Sequence, residues 1–125
     1  MNPFLLSGGV LSILIGMAHS ILGEKLVLGP LFRRGSVPKL LGSTTFAHRT
    51  LRFTWHLTTV LLAGIGAVAV VLSYTELDPQ AVWFLRIFAA IFGASSLLSL
   101  IGARGRHFSW WVFLLIAVLL WIGAR

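Results

Sequence analysis

Six side chains in the first half of the chain carry most of its chemical potential: His19, Glu24, His48, Arg49, Arg52 and His56. The stretch "GMAHSILGEK" (16–25) supplies two of them, and "FAHRTLRFTWHLTT" (46–59) the other four. His48, Arg52 and His56 are spaced i, i+4, i+8, so on a helix they share one face, drifting about 40° at each step. His19 and Glu24 are five residues apart, about 140° around a helix axis, and cannot easily chelate one ion. His48 and His56 stand about 12 Å apart along a helix, also too far for a single metal. Any site must therefore combine different helices. Two arrangements suit these residue types. One is a haem-like cofactor held between His19 and His56, with Arg49 and Arg52 meeting its propionates. The other is a transition-metal site built from His19, Glu24 and His56, with His48 as a further ligand, since imidazole and carboxylate suit zinc, iron or copper.

Other chemistry is excluded or unsupported. The chain has no Cys, which removes disulfides, thiolate metal sites and Cys nucleophiles. It has no Gly-rich phosphate loop, no Gly-x-Ser-x-Gly elbow and no carboxylate pair for acid/base work. No metal motif of recognised spacing occurs either. The residues lean away from catalysis.

The elements that must position these side chains are set by lipid. Hydrophobic residues make up 58% of the 125-residue chain and charged residues 10%, where a soluble domain carries about 25% charge. That much apolar surface, in one domain of this size, needs a bilayer as its solvent. Four windows reach the length of about 20 apolar residues that a helical span requires. They cover roughly residues 4–23, 53–74, 81–102 and 108–124, which predicts a single all-α membrane domain over 1–125, a four-transmembrane-helix bundle. The first window lacks a basic n-region and a small-residue cleavage site, so it reads as a retained helix and not a signal peptide. The connection from about 24 to 52 is long and basic; Pro30 and Pro38 argue against one continuous helix there. Its leucines among arginines suggest backbone lying in the interface. In "YTELDPQ", Asp78 before Pro79 reads as a helix start.

Charge placement gives an orientation. Lys25, Arg33, Arg34, Lys39, Arg49, Arg52, Arg104 and Arg106 belong to one side of the bundle, whereas only Arg86 and Arg125 belong to the other, with Glu76 and Asp78. Eight against two is a positive-inside signal: both termini exterior or periplasmic, both basic loops cytoplasmic. The net charge of +7 then serves anionic lipid headgroups and membrane orientation, not nucleic acid. All four histidines, His107 included, fall in the cytoplasmic half, with His19 and His56 at nearly the same depth on antiparallel neighbours.

The first span also carries Gly8, Ser12, Gly16, Ser20 and Glu24 at every fourth position, a small-residue ridge for close helix packing. Glu24 ends that ridge as the one acidic residue on the basic side. The expectation is an ionised carboxylate paired with Arg49, Arg52 or Arg33, clasping the first hairpin; its other role would be metal ligand or proton acceptor. Ala89/Gly93 and Ser95/Ser99 are comparable small patches on the third span.

"HSILGEK" closing the first span and "RTLRFTWHLT" opening the second resemble small bacterial four-helix inner-membrane proteins described only as integral membrane proteins. The resemblance covers residues 16–60 best; it implies a membrane location and no activity. The membrane-embedded glutamate of small multidrug transporters and the Asn-bearing motifs of fluoride channels are both missing. Three functions fit the residues: a protein with a polar, cofactor- or metal-binding pocket at its cytoplasmic side, a small ion, proton or solute channel or carrier, and an accessory subunit of a larger membrane complex. The packing ridge also suits a homo-oligomer.

Overall fold

The three long helices begin where a side chain can take up free N–H groups. In the computed structural model, which describes residues 1–125, Asn2 accepts from the amides of Phe4 and Leu5 with Pro3 in the first turn, a good N-cap arrangement. Helix α1 runs Pro3–Gly23. A wider π turn follows at Glu24–Leu28, then a short α2 at Gly29–Arg33. Ser43 caps α3, Thr44–Leu72, through Phe46 N–H. Asp78 caps α4, Pro79–Gly102, through Ala81 N–H at 2.7 Å, as its place before Pro79 predicts. Helix α5 spans Ser109–Gly123. There are no strands; one isolated bridge joins Leu40 to Ser43.

Two expectations are corrected. Pro30 does not break the first helix: α1, the π turn and α2 form one rod from Pro3 to Arg33. Proline normally removes a hydrogen bond and clashes with the carbonyl four residues back. Here the π turn shifts the ladder just before it, with Gly29 N–H bonding Glu24 O, so the ring enters a new first turn at little cost. The true connection to α3 is therefore only the stretch 34–43, where Gly35, Leu41 and Gly42 adopt positive φ. The second correction concerns α5. Three helices are long and apolar enough to cross a membrane, but α5 has 15 residues, about 22 Å against a hydrocarbon core of about 30 Å.

Helix order in space is α3–α1–α5–α4, with α1 and α5 at the centre; α3 and α4 scarcely touch. The α1–α3 seam closes most tightly where Gly9 and Gly66 cross: a Cβ on either would stand 2.6 Å from the other's carbonyl oxygen. The ridge of small residues lies in this seam from Ser12 onward. Ser12 Oγ donates to Leu62 O at 2.7 Å, and Gly16 fits against Thr59 and Leu62. Gly8, at the head of the ridge, packs instead on Leu119 and Leu120 of α5. Asn2 binds the far ends together, donating its amide to Gly123 O at 2.8 Å and its backbone N–H to Ser73 O at 2.6 Å. The main core, with Leu5, Leu85, Phe92, Ile116 and Leu120 fully buried, lies in this half of the bundle. Only 21 of 125 residues are buried, and large apolar side chains lie exposed on every long helix, as a protein solvated by lipid requires.

Candidate functional site

The basic half of the α1–α3 seam divides the expected site residues between two faces. On one face is a clasp. Arg52 forks onto Glu24, Nε to Oε2 at 3.1 Å and Nη2 to Oε1 at 2.5 Å. His56 Nε2 stands 3.6 Å from the same Oε2, and its Nδ1 bonds Ser20 Oγ. The ridge spacing explains this: Ser20 on α1 and Glu24 at the start of the π turn are i, i+4, as are Arg52 and His56 on α3, so two pairs meet across one seam. The ring of Phe32, carried in by α2, lies 5.2 Å under the Arg52 guanidinium and stacks on His48 at 4.3 Å. Of the three arginines expected for Glu24, the structure selects Arg52; Arg49 is exposed beside it.

On the other face is a vestibule of about 440 Å³ between α1, α3 and α5. The shortness of α5 creates it: α5 begins only at Ser109, about one turn below the end of α1, and leaves Leu22, Leu26 and Val27 exposed. His19, Trp55, Thr58, His107 and Ser109 line the cavity among apolar side chains. The His19 ring stacks on Trp55 at 4.6 Å with an interplanar angle of 5°, and Trp55 Nε1 donates to His19 O at 3.1 Å. Gly23 is what admits the indole, since a Cβ there would fall 1.9 Å from Trp55 Nε1. Ser109 N–H donates to His107 Nδ1 at 3.2 Å, which leaves that ring's proton on Nε2. Ser109 Oγ bridges His107 Nδ1 and Ser99 Oγ at 2.7 and 2.6 Å.

The expected metal set does not assemble. No three of the His and acidic side chains come together as ligands: Glu24 and His56 are neighbours, His48 is turned onto Phe32, and His19 faces the vestibule. The His19–His56 cofactor pair is also divided. His56 opens onto a shallow groove with His48, Arg49 and Arg52, whereas His19 shares its cavity with His107. Depth was matched; rotation about the helix axes was not. Ser20–His56–Glu24 has the outline of a nucleophile–base–acid relay, but Ser20 lines neither cavity, and the surrounding helical N–H groups are engaged by carbonyls one turn back. Along the seam beyond Thr59, whose buried hydroxyl has no partner, Ser12 is tied to Leu62 and the Gly9–Gly66 crossing follows.

The sequence reading missed three contributors: Phe32, Trp55 as the stacking partner of His19, and the Ser99–Ser109–His107 chain. Gly23, level with Trp55 across the hairpin, was the available signal for the second. No family model, curated protein or solved structure matches this chain.

Proposed function

We propose that this chain is a non-enzymatic, multi-pass protein of a bacterial inner membrane that binds a small amphipathic cofactor in the vestibule at its basic end. The observation that carries this is the cavity itself: three helices, apolar walls and two imidazoles, from His19 and His107, directed at one space. Such a lining, mostly apolar with a few convergent polar groups, is the usual form of a cofactor pocket. The cofactor chemistry that fits is a flat, apolar body with a group that an imidazole can ligate or donate to, which covers a haem-like macrocycle and a quinone. His19 and His107, in place of His19 and His56, would be its partners. The eight-to-two charge distribution supports a cytoplasmic basic end, anionic lipid headgroups around it and exterior termini; reporter fusions at residue 125 would test this orientation. The test of function is the absorption spectrum, metal content and organic extract of the purified protein. A bound chromophore or quinone that is lost in His19→Ala and His107→Ala but kept in His56→Ala supports the reading. A colourless protein with an empty extract refutes it.

A second reading, an accessory subunit or homo-oligomer, is favoured by the divergence of α3 and α4. Gly64 and Gly93 on those helices have nothing within 4 Å, so a further helix could approach closely there. Light scattering of the detergent complex, corrected for detergent mass, tests it.

A further inference from the structure

At the opposite end from the histidines, Arg86 lies about two turns inside the start of α4, roughly 10 Å along the helix. Its guanidinium carbon is 5.7 Å from the Trp83 ring centroid and 5.5 Å from that of Trp121 on α5. No carboxylate neutralises it. Both ion pairs of the chain involve Glu24, and Asp78 is turned to its own helix cap. Indole rings satisfy the flat faces of a guanidinium and leave its in-plane N–H groups directed outward. Those donors call for a planar match with an anion, and a phosphate supplies one.

A second feature lies next to this cation. A groove of about 260 Å³ runs between α4 and α5, lined by Ala89, Ala90, Ala117, Val118, Trp121 and Ile122. Ala89 and Ala90 stand i+3 and i+4 from Arg86, and Ala117 and Val118 precede Trp121 by a similar step. Because α4 and α5 are antiparallel, both pairs lie one turn closer to the membrane midplane than the guanidinium. The alanines open the groove where larger residues would fill it. A cation at headgroup level above an apolar slot follows the order of a phospholipid, phosphate outside and acyl chain inside.

We propose that the Trp83–Arg86–Trp121 cluster and the groove beneath it form a binding site for one anionic glycerophospholipid of the leaflet on the side of the chain termini. The phosphodiester takes the Arg86 N–H edge, one acyl chain lies against Ala90 and Ala117, and the two indoles flank the headgroup. This site is separate from the vestibule and does not depend on what occupies it. The experiment is native mass spectrometry of the full chain in nonionic detergent, with phosphatidylglycerol, phosphatidylethanolamine, diacylglycerol and a fatty acid of matched chains. Phosphatidylglycerol should give one tightly retained lipid, weakened about tenfold by Arg86→Gln, as loss of a charge-assisted bond implies. Arg104→Gln/Arg106→Gln at the basic end should leave that lipid in place. The proposal is overturned if Arg86→Gln retains phosphatidylglycerol like the parent, or if the loss follows Arg104 and Arg106 instead. Equal retention of phosphatidylethanolamine, diacylglycerol or the fatty acid overturns it as well. Should Arg86→Gln not remain monodisperse, Ala90→Phe decides: it fills the groove from an exposed position, so undiminished phosphatidylglycerol binding would refute the site.

Discussion

Two glycines on α3, Gly64 and Gly66, make opposite predictions for the same substitution. In a helix interior Gly→Ala is favourable by about 1 kcal/mol, because alanine has less backbone freedom to lose. Gly64 has nothing within 4 Å, so Gly64→Ala should be neutral or should stabilise by up to about 1 kcal/mol. At Gly66 the new Cβ would stand 2.6 Å from Gly9 O, 2.8 Å from Ile13 Cγ1 and 3.1 Å from Ser12 Cβ. Ile13 can change rotamer, but the carbonyl oxygen belongs to the α1 backbone and cannot. The helices must separate by several tenths of an ångström, loosening the Ser12–Leu62 bond next to the crossing. Overpacking of this kind costs about 1–3 kcal/mol. Gly66→Ala should therefore fall below Gly64→Ala by about 1–3 kcal/mol, since the propensity gain is common to both and cancels. Helicity followed through a titration of SDS mole fraction in mixed micelles measures the difference. If Gly66→Ala proves as stable as Gly64→Ala, the α1–α3 crossing does not lie at Gly9–Gly66, and the seam deduced from it falls with it.

The remaining predictions use the same assay unless stated. Glu24 and Arg52 are about one-third and one-half exposed, so a Glu24→Gln/Arg52→Gln double-mutant cycle should give only a small coupling that added salt removes; a large coupling that salt leaves unchanged would contradict a clasp at the boundary. Asn2→Ala removes a helix cap and the bond to Gly123 O, and should cost about 2 kcal/mol. A cost near zero would mean that the Asn2 side chain does not tie α1 to α5 there. Gly23→Ala should expel Trp55 from its place against His19, so its near-ultraviolet circular dichroism should match that of Trp55→Phe; a spectrum unchanged from the parent would contradict the stack.

Period and charge make much of this architecture legible in the sequence. Apolar length located the helices, Asp78–Pro79 marked the start of α4, and the four-residue spacing from Ser12 to Glu24 identified the face that meets α3. The Glu24 clasp followed from the scarcity of acid on that side, although the choice of Arg52 required the angular register of α3. What could not be read was rotation and continuation. Sequence depth places His19 and His56 together, yet side chains at equal depth can face opposite sides of one seam. The fate of Pro30 depended on a π turn, a one-residue change in ladder register that leaves no compositional trace. The window over 108–124 locates α5 to within one residue at each end, but apolar composition alone does not show that 15 residues fall short of a full span.

These departures have a common consequence. The main buried cluster lies toward the termini, where Asn2 joins α1, α3 and α5. All four histidines occupy the other half, where α5 has ended and α1 and α3 continue nearly as a pair. Local opening is easiest where buried apolar contacts are fewest, so the basic half should open well before the core does. A cofactor in the vestibule would add contacts only there, and would therefore protect amides of Ser109–Phe113 and of the π turn from hydrogen exchange more than those around Leu5 and Phe92. Uniform protection along the helices on loading would place the ligand elsewhere; protection confined to the basic half would tie it to the space beside His19.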